Sequence, residues 1–302
     1  MTISAASNSP THSSGQSNAK GAGLILIASA FIAGSTLCAK QLGVGADALS
    51  PFQVTWGRFF FALPVLLLAA LVFRPRFSPP QWGWHAVRVS CGVSGVTAMF
   101  YAATLIPLAD TTAISFLNPM FAMVLAIFIL GEKIGPIRWS MAALALIGAM
   151  LLIRPGTAGF QPAALIALFA AVAFGMEVVV LKLLARTESP FQIILIANIV
   201  GAMVASAVAP FVWQAPTPMQ WVLLASTAVL MVTAQAFFTN ALRVGEASFV
   251  LPFSYATLLF AAFYDFALFN VVPVPLSLAG GLIIIVSGIV LALRDGRAAR
   301  QS

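Results

Sequence analysis

Arg58, Glu177 and Asp265 are ionisable residues set within long apolar stretches of this 302-residue chain. A charge at the centre of a bilayer costs about 2.5–3.5 kcal/mol on insertion scales, so each must face a partner or a polar cavity, not lipid. Glu177 is the deepest acid, about 12 Å from the nearer end of its stretch at 1.5 Å per residue. A carboxylate held there can bind a polar solute and can exchange a proton, which makes proton coupling an expectation. Arg58 and Asp265 lie nearer the opposite ends of their stretches and are expected to form a gate or a structural ion pair. Tyr101, Asn118, Gln235, Asn240, Tyr255 and Tyr264 also carry polar ends that need partners in apolar surroundings; with Glu177 they make the expected substrate-binding set. Bond-making chemistry has no such support. The two histidines, His12 and His85, fall outside the apolar core, and neither a His-x-x-x-His pair nor a Gly-x-Ser-x-Gly elbow occurs. No catalytic residue, metal or cofactor is expected.

The elements that carry these residues must be membrane helices. Residues AVILMFWYC make up 61% of the chain and DEKR 8%, a balance that no ordinary soluble domain approaches. About 20 apolar residues are needed to cross roughly 30 Å of hydrocarbon. Ten candidate segments occur, at approximately 21–42, 51–73, 82–106, 108–130, 135–153, 161–184, 190–212, 219–242, 246–269 and 272–293. Too little chain remains between them for a nucleotide-binding domain, which excludes an ATP-driven pump contained in this chain alone. The partners implied are the lipid bilayer and a small-molecule substrate; the sequence leaves the oligomeric state open.

The basic excess reads as topology, not as affinity for nucleic acid. Twelve Lys and Arg side chains fall on the side of the two termini and only Lys40 and Arg154 on the other, so both termini are expected in the cytosol. Lys40 can snorkel to the surface. Trp82, Trp84 and Trp139 fall near one set of segment ends and Trp56, Trp213 and Trp221 near the other, as aromatic belts do. Residues 1–20 are polar and small and are expected to form a disordered cytosolic tail, with a second short tail at 297–302. Cys38 and Cys91 belong at different depths and are expected to stay unpaired.

Within the segments, Ser90, Ser94, Thr97, Tyr101 and Thr104 recur at helical spacing and form a stripe expected to point inward. Pro64, Pro119 and Pro252 each remove a backbone hydrogen bond from the middle of a segment, as binding sites and hinges do. Asp110 and Glu246 open segments, where an acidic group stabilises a helix N-terminus.

Ser50-Pro51-Phe52-Gln53 recurs as Ser189-Pro190-Phe191-Gln192, at an offset of 139 residues. Further matches pair Tyr101–Glu132 with Thr239–Asn270, Gly148–Gly156 with Gly288–Gly296, and Gly34 with Gly175. The chain is a tandem repeat, 21–156 and 157–296, of five segments each. Five is odd, so the second copy must enter the bilayer inverted, which is an architecture of secondary transporters. The expected fold is all-α: an integral membrane protein of ten transmembrane helices in two inverted five-helix repeats.

The Tyr101-Ala102-Ala103 run, Leu117-Asn118-Pro119, Gly131-Glu132 and a fifth segment rich in small residues together resemble the drug/metabolite transporter superfamily, in its branch with two EamA domains. The second copy departs from this pattern with Phe269-Asn270 in place of Gly131-Glu132. Within that branch the likeness points to aromatic amino-acid exporters. The resemblance implies export of small metabolites by alternating access. From the residues themselves, Phe100, Tyr101, Phe237, Phe238, Tyr255 and Tyr264 are expected to give a central cavity an aromatic, amphipathic character suited to hydrophobic amino acids or similar metabolites. A passive channel and a membrane-embedded enzyme are the alternatives. The cell (inner) membrane is the expected location.

Overall fold

A computed structural model describes residues 11–75, 77–130, 136–153, 161–184, 186–244, 251–272 and 274–299. Glu132, Arg154 and Glu246, with Gly131, lie outside the described residues. All regular structure among the described residues is helical: α1 Thr11–Leu42, α2 Pro51–Phe60, α3 Ala62–Phe73, α4 Trp82–Leu105, α5 Leu108–Ser115, α6 Asn118–Leu130, α7 Pro136–Ile153, α8 Ala163–Leu184, α9 Pro190–Val208, α10 Pro218–Val244, α11 Ala256–Phe269 and α12 Pro275–Ala299. Single 3₁₀ turns follow α9 at Ala209–Val212 and precede α11 at Leu251–Tyr255. Among the described residues, seven spans are long and apolar enough to cross a membrane, and three shorter apolar helices lie at Ala142–Leu151, Phe253–Phe269 and Pro275–Ser287. The exterior is correspondingly apolar, with Leu71, Phe128 and Phe211 exposed to 73%, 80% and 87%, as befits a surface solvated by lipid.

The prolines account for the breaks. Pro64 has no N–H to offer the carbonyl of Phe60, and α2 ends at Phe60; Pro119 has none for Ser115, and α5 ends at Ser115. The expected tails are shorter than anticipated. Thr11–Lys20 continue α1 and Arg297–Ala299 continue α12, because extending an existing helix adds one hydrogen bond per residue without a new nucleation step.

The helices pack mainly across the two copies: α1 with α10 and α11, α4 with α8, α6 with α8, α2 with α9, and α7 with α12. α1 and α10, α4 and α8, α2 and α9, and α7 and α12 run antiparallel, while α11 runs parallel to α1 and α6 parallel to α8. Along α4, Gly92 meets Glu177 and Gly95 meets Phe174 of α8, in descending order. A Cβ on Gly175 would lie 2.8 Å from the backbone nitrogen of Ala122, so only glycine lets α8 approach α6 this closely. Between the repeated tetrapeptides the relation is reciprocal. Gln53, at the start of α2, donates to the carbonyl of Gln214 at 2.7 Å and accepts from its N–H at 3.1 Å. Gln192, at the start of α9, donates to the carbonyl of Ser78 and accepts from its N–H, both at 2.8 Å. Each glutamine therefore grips the backbone just beyond the far end of the other's segment, and both side chains are fully buried. An antiparallel pairing of a segment with its own repeat is the geometry that inverted repeats require.

Candidate functional site

Two faces can be named by their residues: a basic face, with Lys20 in α1 and Arg74, Ser78 and Arg186 just beyond α3 and α8, and a far face, with Asp47 and Gln214. Between these faces, α2, α4, α8, α9 and α10 enclose a small cavity of about 40 Å³. Its polar walls are Arg58, Arg88, Glu177, Asn198 and Gln235, and its apolar walls include Phe59, Val89 and Val96. Arg88 donates to Glu177 at 3.0 Å in an ion pair, and donates a long bond of 3.4 Å to the carbonyl of Ile193. Gly92 leaves room beside the Glu177 carboxylate, since a Cβ there would already touch it at 3.5 Å. The Arg58 guanidinium lies 4.7 Å from the centre of the Phe59 ring. The Nε atoms of Arg58 and Arg88 are buried without a hydrogen-bond partner. Two guanidinium groups and one carboxylate leave this site one positive charge in excess, with planar donor forks suited to a carboxylate or phosphate.

Of the expected set, Glu177, Gln235 and Arg58 converge here; the others do not. Tyr101 is 44% exposed, and Asn240 is exposed with its amide spent on the Ala236 carbonyl of its own helix. Tyr255 is buried against Phe116, ring centroids 4.9 Å apart, and the Tyr264 hydroxyl donates to Ala30 O at 3.4 Å. Asn118 stands at the α5–α6 break beside Gly175. The stripe on α4 does not point inward as a unit. Ser90 and Tyr101 are exposed, and Ser94 and Thr104 bond to carbonyls of their own helix; a hydroxyl that satisfies itself this way can face either side.

Arg58 and Asp265 do not pair. Asp265 accepts from Lys40 at 2.6 Å and from the N–H of Ala109 at 3.1 Å. Lys40 is therefore buried and does not snorkel. A partner deep enough to neutralise it makes burial cheaper than reaching the surface, and Phe269 covers its ammonium at 4.5 Å. This knot ties α1, the start of α5, and α11 near the far face.

A second cluster closes the basic face. Glu188, between α8 and α9, accepts from the N–H of Gln81 at 2.8 Å, from Gln192 at 2.8 Å, and bonds His85 at 2.8 Å. Burial pushes the Glu188 carboxyl up, but the hydrogen bonds from Gln81, His85 and Gln192 outweigh it and hold the group below its ordinary value. Sequence reasoning passed over this clasp and over Arg88, which it counted only among the basic residues on the side of the termini. A signal existed: Gln81-Trp82 recurs as Gln220-Trp221 at the tetrapeptide's own offset of 139, and Gln220 donates to the carbonyl of Asp47 at 2.7 Å on the far face. Cys38 and Cys91 are both free. No cluster of His, Cys, Asp or Glu that could hold a metal occurs among the described residues.

Comparison with known proteins places this geometry. The model of the EamA-like transporter family matches residues 19–154 and again 161–294. An S-adenosylmethionine uptake transporter of Rickettsia prowazekii is 30% identical, over 82% of this chain and 83% of its own. A riboflavin transporter of Vibrio cholerae is 29% identical, over 76% and 78%. A pseudopaline exporter of Pseudomonas aeruginosa is 28% identical, over 68% and 73%. One crystal structure superposes with a TM-score of 0.62 at 21% identity, covering 90% of this chain and 98% of its own, and speaks for the fold alone. None of these relatives is an aromatic amino-acid exporter, so that part of the resemblance is not upheld. Two matched copies, cross-packed in opposite directions around a polar intramembrane site, are those of a multi-pass membrane transporter: the chain belongs to the EamA-like transporter family.

Proposed function

We propose that this chain is a secondary transporter of the cell (inner) membrane, with ten spans in two inverted repeats and both termini cytosolic. Small polar metabolites would bind in the cavity between α2, α4, α8, α9 and α10 and be released alternately to either side. The Arg58–Arg88–Glu177 cluster carries this reading, because charges so placed mark substrate and ion pathways and these lie where the two copies meet. Hydrophobic amino acids fit it less well. Phe100 is packed into the core and Tyr101, Tyr255 and Tyr264 are spent elsewhere, so the aromatic walls such a substrate needs do not surround the cavity. Export was the direction expected from sequence; the cycle is reversible, and gradients decide whether substrate leaves or enters. Substrates of the relatives make the test panel. Proteoliposomes holding the full chain should take up radiolabelled S-adenosylmethionine, riboflavin or an opine-type metallophore with saturable kinetics, lost in Arg88→Ala. Flux that rises linearly with concentration would favour a channel, and saturable flux unaffected by Arg88→Ala would move the site elsewhere.

A further inference from the structure

We infer that the cavity receives a carboxylate group of the substrate, held between Arg58 and Arg88 beside Glu177. This rests on the cavity being the transport site. Charge balance is the first argument. Among the described residues, Arg58 makes no ion pair or hydrogen bond; the acid that shares its cavity, Glu177, is paired with Arg88, and the others are held elsewhere. Asp265 is held by Lys40 and Ala109, Glu188 by His85, Gln81 and Gln192, and Asp110 by Ser277, while Asp47 lies in the loop beyond α1. A guanidinium part-buried at membrane depth without an ion-pair partner of its own is costly; one monoanion would neutralise the site. A phosphate dianion would overshoot.

Shape agrees with charge. About 40 Å³ admits a head group the size of two or three waters, not a whole metabolite. The idle donors are the two Nε–H groups and their forks, which bind carboxylate in parallel pairs. Gln235 adds an amide that makes no hydrogen bond among the described residues, at the same wall. The inverted repeat supplies the control. The positions equivalent to Arg58, Arg88 and Glu177 in the other copy are Ala197, Thr227 and Thr36, so the shared fold stands without these charges.

The experiment has a ligand-free arm and a ligand arm, both on the full chain in detergent. An unpaired guanidinium awaiting an anion destabilises the empty protein, so Arg58→Met should raise its Tm, by about 2 °C or more. A fall in Tm would show that Arg58 serves the fold, and would overturn the inference. In the ligand arm, propionate and S-adenosylmethionine are compared with propionamide and decarboxylated S-adenosylmethionine. At least one carboxylate should raise the Tm of the wild type, its matched partner should not, and Arg58→Met should lose the response. Equal protection by the matched partners, protection retained in Arg58→Met, or none from either carboxylate overturns it. Saturable riboflavin transport that needs Arg88 would still uphold the carrier reading if the carboxylates failed. Carboxylate binding without flux of any panel member would do the reverse.

Discussion

Glu177 and Arg88 form a pair whose members cannot be removed singly at equal cost. Without the acid, two guanidinium groups share one cavity with no anion; without both, Arg58 is the one charge left, unpaired as before. Breaking a fully buried pair costs about 3–5 kcal/mol, but the Glu177 side chain is 26% exposed, so solvent screening should hold the loss nearer ~2 kcal/mol. Glu177→Gln should therefore lower Tm and impair transport, while Glu177→Met with Arg88→Met should recover the stability and not the transport. Denaturation of the three proteins in detergent checks this; a double variant less stable than Glu177→Gln would show that the pair is structural. Glu177 was legible in the sequence because an acid in an apolar run has no bland explanation. Arg88 was not, because six residues from a segment end an arginine can equally reach the surface. Only the packing of α8 and α9 against α4 turns it inward.

At the scale of elements, the two faces are closed by equivalent parts with different chemistry. Gln81 and Gln220 occupy equivalent positions and both bind the loop of the other copy. Beside them, the basic face carries His85 and Glu188 where the far face carries Leu224 and Leu49, which pack in one apolar cluster. At these equivalent positions only the basic face carries titratable groups. Because the Glu188 carboxyl sits below its ordinary value in the closed clasp, its stabilisation is complete above the ordinary carboxylate range and is lost as pH falls through the depressed value. Melting temperature should therefore drop as pH falls from 7 toward 4, and Glu188→Gln should flatten that drop. An unaltered pH profile in the variant would remove Glu188 as its source. The glutamine clamps make a separate prediction. They pin both ends of the α2–α3 and α9 segments to each other, so these segments should move as one body. A disulfide between cysteines at Gln53 and Gln214 should leave transport within about twofold of the reduced protein, provided the bond replaces the clamp it removes. Abolished transport would mean that the segments separate during the cycle.

For the whole molecule, the repeat was readable because matching residues recur at a nearly fixed offset, and the helix limits because apolar runs end at Pro, Gly and charge. Which polar residues meet was not readable, since that depends on α4 crossing α8 and α1 crossing α10 between copies, and no local spacing encodes it. Asp265 illustrates the point: its partner, Lys40, is 225 residues away in sequence. These long-range knots lie on opposite faces, and that placement fixes the last prediction. Alternating access demands that the two faces not be open together. The Lys40–Asp265–Ala109 knot ties helices together near the far face, and the His85–Glu188–Gln81 clasp does so at the basic face. Weakening either should shift the population toward the state open on that side, because the change acts on one state and not the other. The native thiols report it, Cys38 lying in α1 half a turn from Lys40 and Cys91 in α4 less than one turn from Arg88. With an impermeant maleimide applied from either side, Asp265→Asn should speed labelling of Cys38 from the far face and slow that of Cys91 from the basic face. Glu188→Gln should do the opposite. If both variants shift the two thiols in the same sense, the knots only hold the fold, and the gates must lie at the proline breaks of α5 and α6 instead.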